Sequence, residues 1–128
     1  MSKSDTGEWL KEVVELSLLY DFYGELLTES SKRLFEGYVL EDMSLSELSE
    51  ETGISRQGIH DSVKRSVDKL RKYEDKLGLV RKFSDMKDEV KKIHENASRL
   101  SEKMKSDETA RRLLDEILKT GDKMLEEF

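Results

Sequence analysis

The sequence predicts an all-α protein: a helical bundle containing a helix-turn-helix, followed by a long C-terminal helical arm or hairpin. Three observations predict it. Proline is absent, so no helix need be broken except at a glycine or a capping residue. Apolar residues recur at helical spacing along the chain. Between about residues 27 and 70, two short amphipathic segments are joined by a glycine-containing turn.

The elements follow in order. Glu8 to about Leu27 reads as one helix carrying Trp9, Leu10, Val13, Val14, Leu16, Leu18, Leu19, Tyr20, Phe22, Tyr23, Leu26 and Leu27 on nearly every side. Such a helix is expected to be buried all round as a central strut, or to turn one side to a partner chain. Thr28 can cap a second helix reaching about Leu40, with Leu34, Phe35, Tyr38 and Val39 inward. Ser44-Leu45-Ser46-Glu47 is a capping box opening a short third helix to Thr52. Gly53 follows, where a left-handed residue is least costly. Ser55 caps a fourth helix with Ile59, Val63, Val67 and Leu70 inward, continuing to Tyr73 or Leu77, and Gly78 is a natural stop.

Leu79, Phe83, Met86, Val90, Ile93, Ala97, Leu100 and Met104 alternate at intervals of 4 and 3, a heptad seam that must pack on another helix. Ser106 or Asp107 can cap a last helix bearing Ala110, Leu113, Leu114, Ile117, Leu118, Met124, Leu125 and Phe128, with Gly121 interrupting the stripe. These two helices can fold into an antiparallel hairpin, or either can pair with a second subunit. The domains are accordingly expected at 1–78 and 79–128.

Composition narrows function. No cysteine is present, and His60 and His94 share no metal-ligand spacing, so no metal site or cofactor is expected. No apolar run approaches a membrane span, and the start Met1-Ser2-Lys3-Ser4-Asp5 lacks a secretory pattern. A soluble cytoplasmic protein with no membrane partner is the expectation. The net charge of −6 argues against a nonspecific nucleic-acid binder. Its distribution is uneven. Residues 1–54 hold 4 Lys/Arg against 13 Asp/Glu, residues 55–82 hold 9 against 4, and residues 83–128 hold 10 against 12. The one basic block coincides with the fourth helix.

That helix is the candidate recognition helix, entering a DNA major groove with its N-terminal turns. With Ile59, Val63 and Leu70 inward, Gln57, Asp61, Lys64, Arg65 and Asp68 face outward, with Arg56 and His60 on the flanks. Gln57 can bond adenine and Arg56 guanine in bidentate fashion. The candidate base-reading set is Arg56, Gln57, His60, Asp61 and Lys64. The candidate phosphate set is Ser55, Arg65, Lys69, Arg71 and Lys72, with Lys32 and Arg33 from the second helix. Basic residues on exposed helix faces are more often merely solvated. Asp61 and Asp68 repel phosphate unless they read a cytosine amino group. Gly58 either admits a close backbone approach or is simply tolerated; His60 reads as an exposed polar residue and His94 as a solvated position beside the seam. No nucleophile with a paired base and no phosphate-binding glycine loop is found, so no catalytic residue is named and no enzyme is expected.

Leu18-Leu19-Tyr20-Asp21-Phe22-Tyr23-Gly24-Glu25-Leu26-Leu27-Thr28 resembles the opening signature of the YlxM-type helix-turn-helix family. So do Asp42-Met43-Ser44-Leu45-Ser46-Glu47-Leu48-Ser49, then Gly53-Ile54-Ser55-Arg56-Gln57-Gly58-Ile59-His60-Asp61, and, further on, Lys64-Arg65 and Tyr73-Glu74-Asp75-Lys76-Leu77-Gly78-Leu79. The resemblance covers about Leu18 to Phe83. It implies a small, all-helical bacterial protein similar to region four of sigma factors, with Arg56, Gln57, His60 and Lys64 at DNA-reading positions. Gly58 and Ser49 depart from the alanines usual there. The resemblance also implies a regulatory role in the signal recognition particle pathway. Double-stranded DNA is the leading partner; the alternative is a protein-interaction module binding the particle's GTPase protein. A homodimer suits either.

Overall fold

A computed structural model describes residues 3–127. Six α-helices are present and no strand among the described residues: α1 (Thr6–Tyr23), α2 (Glu29–Phe35), α3 (Leu45–Thr52), α4 (Arg56–Leu77), α5 (Leu79–Lys103) and α6 (Glu108–Glu127). A 3-10 turn (Gly24–Leu26) follows α1, and a π-helical turn (Glu36–Leu40) follows α2. The chain divides into two compact units, Met1–Val80 and Arg81–Phe128.

In the first unit, α4 packs against α1, α2 and α3. Its inward residues Ile59, Val63, Val67 and Leu70 join Leu16, Leu19, Tyr23, Leu34, Phe35 and Leu48 in one core. Each helix begins where a side chain satisfies an orphan amide: Asp5 for α1, Thr28 for α2, the Ser44/Glu47 capping box for α3 and Ser55 for α4. The exits of α3 and α4 are left-handed glycines, Gly53 at φ 75° and Gly78 at φ 61°. A side chain there would be strained by its own Cβ.

Two expectations for the first unit need correction. The first helix is not buried all round: Trp9, Leu16, Leu19 and Tyr23 face the core, while Leu10, Val14 and Leu18 lie exposed on another face. The selection follows from packing: α4 and the π turn lie against α1 on the side where Trp9 meets Tyr38 edge-on and Tyr20 stacks on Phe35 at 4.9 Å, leaving the other face uncovered. The second helix does not run uniformly to Leu40. It widens into a π turn that positions Gly37 against Leu48, where a Cβ would come within 2.6 Å of a Leu48 methyl. The widened turn brings Glu36 to the Tyr20 hydroxyl, which donates to it; burial, then that bond, raises the Tyr20 pKa.

One carboxylate ties the end of α1 to the last turn of α4 and to the residues just after Gly78, all within the first unit. Tyr23 donates to Glu74 Oε1 at 2.6 Å, and the same oxygen accepts from Val80 N–H at 3.0 Å. The Tyr23 oxygen accepts from Leu79 N–H at 3.2 Å. The first amides of α5 are thereby satisfied by residues of α1 and α4.

The second unit holds α5 against α6. Asp107 caps α6 by accepting from Ala110 N–H at 3.0 Å. His94 is not the solvated position that its place beside the seam implies. Its Nε2 pairs with Asp122 at 2.8 Å, and a Cβ on Gly121 would lie 3.1 Å from its ring. The glycine that interrupts the stripe is what admits the imidazole. Phe128, expected on the same stripe, lies outside the described residues.

Candidate nucleic-acid interface

The helix-turn-helix is α3, the turn Gly53–Ser55 and α4. Its geometry is set by local bonds. Gly53 N–H returns to Ser49 O at 2.9 Å, and Ile54 N–H reaches Thr52 Oγ1 at 3.3 Å. Ser55 Oγ accepts from Gly58 N–H at 3.1 Å. A Cβ on Gly58 would sit 3.1 Å from Ser55 Oγ and 3.2 Å from Ile54 Cγ2. Gly58 therefore admits a close approach between the turn and the first turn of α4.

Leu48 and Ile59, both fully buried, lock α3 to the opening of α4. With that side fixed, Arg56, Gln57, Lys64, Arg65, Asp68, Lys69 and Lys72 are exposed, and His60 and Asp61 are half-buried. Gln57 Nε2 donates to Asp61 Oδ1 at 2.9 Å, one helical turn on. His60 Nδ1 stands 3.7 Å from the same carboxylate oxygen and has no hydrogen-bond partner despite being buried. His60 is thus less exposed than its sequence position implies. It lies with Glu12, Lys64, Val67, Asp68 and Arg71 around a cleft of ≈ 230 Å³ between α1 and α4.

The basic residues fall into two groups. Lys32 bonds Glu25 at 2.8 Å and lies 3.4 Å from Glu29; these carboxylates, Glu25 foremost, raise its pKa. Arg33 binds Glu51 at 2.6 Å, which raises its pKa, and lies 3.8 Å from Glu41. Arg71 reaches Glu15 at 3.4 Å and Glu12 at 3.6 Å. Arg56, Lys64, Arg65, Lys69 and Lys72 have no such carboxylate partner among the described residues. The first turn of α4 carries Arg56 and no acidic residue. A cation there opposes the helix dipole, which favours negative charge at that end.

Sequence reasoning missed these carboxylate partners. The Gln57–Asp61 bond was open to discovery from its four-residue spacing. The Arg33–Glu51 and Arg71–Glu15 pairs join residues far apart in the chain, and no local pattern announces them. Among the described residues no group of three or more His, Asp or Glu side chains is arranged to hold a metal ion, and no helix is long and apolar enough to cross a membrane.

Residues 10–110 match the family described as "Putative helix-turn-helix protein, YlxM / p13 like". A UPF0122 protein of Caldanaerobacter subterraneus subsp. tengcongensis is 52% identical over 80 residues, 62% of this chain and 68% of that protein. One from Thermoanaerobacter sp. (strain X514) is 40% identical over 102 residues, covering 80% and 86% respectively. One from Listeria welshimeri is 39% identical over 102 residues, covering 80% and 90%. No solved structure matches the chain. With four-fifths of its length aligned to such relatives and the helix-turn-helix inside the matched span, the chain belongs to the UPF0122 family of YlxM / p13-like helix-turn-helix proteins.

Proposed function

We propose that this protein is a DNA-binding regulator that reads the major groove with the leading turns of α4. Residues 1–78 form the DNA-reading domain and residues 79–128 an extension, and the protein acts in the cytoplasm as a homodimer. One observation carries the reading: the exposed start of α4 has Arg56 in an acid-free first turn, followed by the cations Lys64, Arg65, Lys69 and Lys72 with no carboxylate partner among the described residues. Arg56, Gln57, His60, Asp61 and Lys64 are the base-reading set. Ser55, Arg65, Lys69 and Lys72 hold phosphates, and Lys32, Arg33 and Arg71 join them by exchanging carboxylate for phosphate. Binding to genomic fragments across a salt series tests this. A selective fragment whose affinity falls steeply with salt is expected, and Arg56→Ala and Gln57→Ala abolish the selectivity. Absence of any selective fragment at low salt refutes it.

A second reading is favoured by the acidity of residues 1–54 and by the exposed stripe Leu10, Val14 and Leu18 on α1. There the partner is a protein, and the family resemblance implies the GTPase of the signal recognition particle. A pulldown with that GTPase decides it; no complex with the full chain refutes it.

A further inference from the structure

The unit of α5 and α6 is incomplete as it stands. Among the described residues only Val90, Ala97 and Leu114 are buried in helices of 25 and 20 residues. Three side chains are too small a core to hold such helices in place. The seam that should stabilise them is largely uncovered. Met86, Ile93 and Leu100 of α5 are 48%, 59% and 49% exposed, and Leu113, Ile117 and Met124 of α6 are 52%, 44% and 38% exposed. Ile93, Leu113, Ile117 and Met124 line an open apolar groove of ≈ 520 Å³, Met86 meets Met124 at a neighbouring cleft, and Leu100 follows Ile93 by two turns on the same face of α5.

We propose that a second copy of this chain covers the groove, the two hairpins closing a four-helix bundle. Area supports it. The six side chains leave on the order of 600 Å² of apolar surface on that side, and with their rim they approach the ~800 Å² each partner contributes to a stable interface. Symmetry supports it too. Each helix supplies three of the six, centred near Ile93 and Ile117, so a two-fold axis through the centre sets apolar edge on apolar edge, as a closed isologous contact requires. The 4–3 spacing is that of helices that pack at a small crossing angle in coiled coils and four-helix bundles. By helical period Lys82, Glu89, Glu116 and Lys123 flank the groove, with both signs present. Two like copies meet there without a wall of one charge, whereas a strongly basic or acidic partner finds nothing to match.

The test is the mass of the full chain in solution, with no DNA present. At about 50 µM, light scattering is expected to give twice 14.9 kDa. Ile93→Glu gives a monomer. The gentler double variant Ile93→Ala/Ile117→Ala raises the dimer dissociation constant at least ~100-fold, with helicity and Trp9 emission unchanged. Val14→Glu, on the exposed stripe of α1, leaves the mass unaltered. In wild-type protein, amide protection over residues 86–124 rises with concentration. A monomer at 50 µM, a dimer indifferent to the alanine pair, a dimer broken by Val14→Glu alone, or protection independent of concentration each overturns the proposal. The two-copy expectation is shared with the proposed function, but the outcomes separate. A missing DNA site leaves the bundle standing, and a monomer leaves a single α4 free to read DNA.

Discussion

Removing one oxygen from Tyr23 should loosen the joint where three helices meet. The ring is 1% exposed, so Tyr23→Phe keeps its packing against Phe22 and Tyr73, at 6.3 and 5.9 Å between centroids. What disappears is a 2.6 Å donor to the Glu74 carboxylate and a 3.2 Å acceptor for Leu79 N–H. A hydrogen bond to a charged group contributes about 1.5–3 kcal/mol. The Leu79 amide, at the opening of α5, loses its acceptor as well, while Glu74 keeps Val80 N–H. The expected loss is about 2 kcal/mol, a fall in urea midpoint of about 1 M at constant slope.

Trp9 is the one tryptophan in the chain and sits in the core of the first unit, so its fluorescence follows that unit without the hairpin. Tyr73→Phe serves as the control and should stay within about 0.5 kcal/mol of wild type. The double variant Tyr23→Phe/Glu74→Ala should be less destabilised than the sum of its parts by roughly 1 kcal/mol or more, because each single substitution already removes the same bond. A Tyr23→Phe protein within about 0.5 kcal/mol of wild type, or additive losses in the double variant, refutes the joint.

Three further outcomes follow from the same geometry. Burial, reinforced by Glu36 and Glu74 respectively, raises the pKa values of Tyr20 and Tyr23. Stability should therefore hold up to pH ~10 and fall above it, as the unfolded tyrosines ionise first, by up to about 1.4 kcal/mol per pH unit per tyrosine; Tyr20→Phe/Tyr23→Phe should flatten that limb in Trp9-monitored melts. At the turn, Gly53→Ala at φ 75° should cost about 1–2 kcal/mol and Ser55→Ala about 1 kcal/mol, both read from urea midpoints. In the hairpin, Leu114→Ala removes one of three buried side chains and should speed amide exchange over residues 86–124 more than tenfold while leaving the Trp9 transition in place.

The parts of the fold legible in the sequence were those fixed within one or two helical turns. The capping box at Ser44, the left-handed exits at Gly53 and Gly78, and the inward stripe Ile59, Val63, Val67 and Leu70 each follow from a local pattern. What escaped was set by distance and shape. Nothing local tells an exposed apolar residue of α1 from a buried one: Val14 and Leu16 differ in accessibility because α4 and the π turn pack on one side of the helix. The π turn at Glu36–Leu40 answers to Gly37 meeting Leu48 across the fold. Gly121, which locally only interrupts an apolar stripe, is explained by His94 on another helix.

The charge pattern in the sequence placed a basic block beside an acidic chain, which set the DNA reading against the net charge. The ion pairs reduce that conflict. Lys32, Arg33 and Arg71 already neutralise Glu25, Glu51 and Glu15, so much of the acidity near α2 and α4 is internally balanced. A phosphate approaching those three must compete with carboxylates already within ion-pair distance, and the exchange gains little net energy on an exposed surface. Phosphates approaching Arg65, Lys69 or Lys72 displace only water and counterions. DNA affinity in the proposed function should therefore rest on Arg65, Lys69 and Lys72, and its salt dependence should correspond to about three neutralised phosphates, a slope near −2.7, and not to all the basic residues of the motif. Lys32→Ala should then barely change that slope, while Lys69→Ala should reduce it by roughly one. Equal effects of the two substitutions would mean that the carboxylates yield to phosphate more readily than their ion pairs imply.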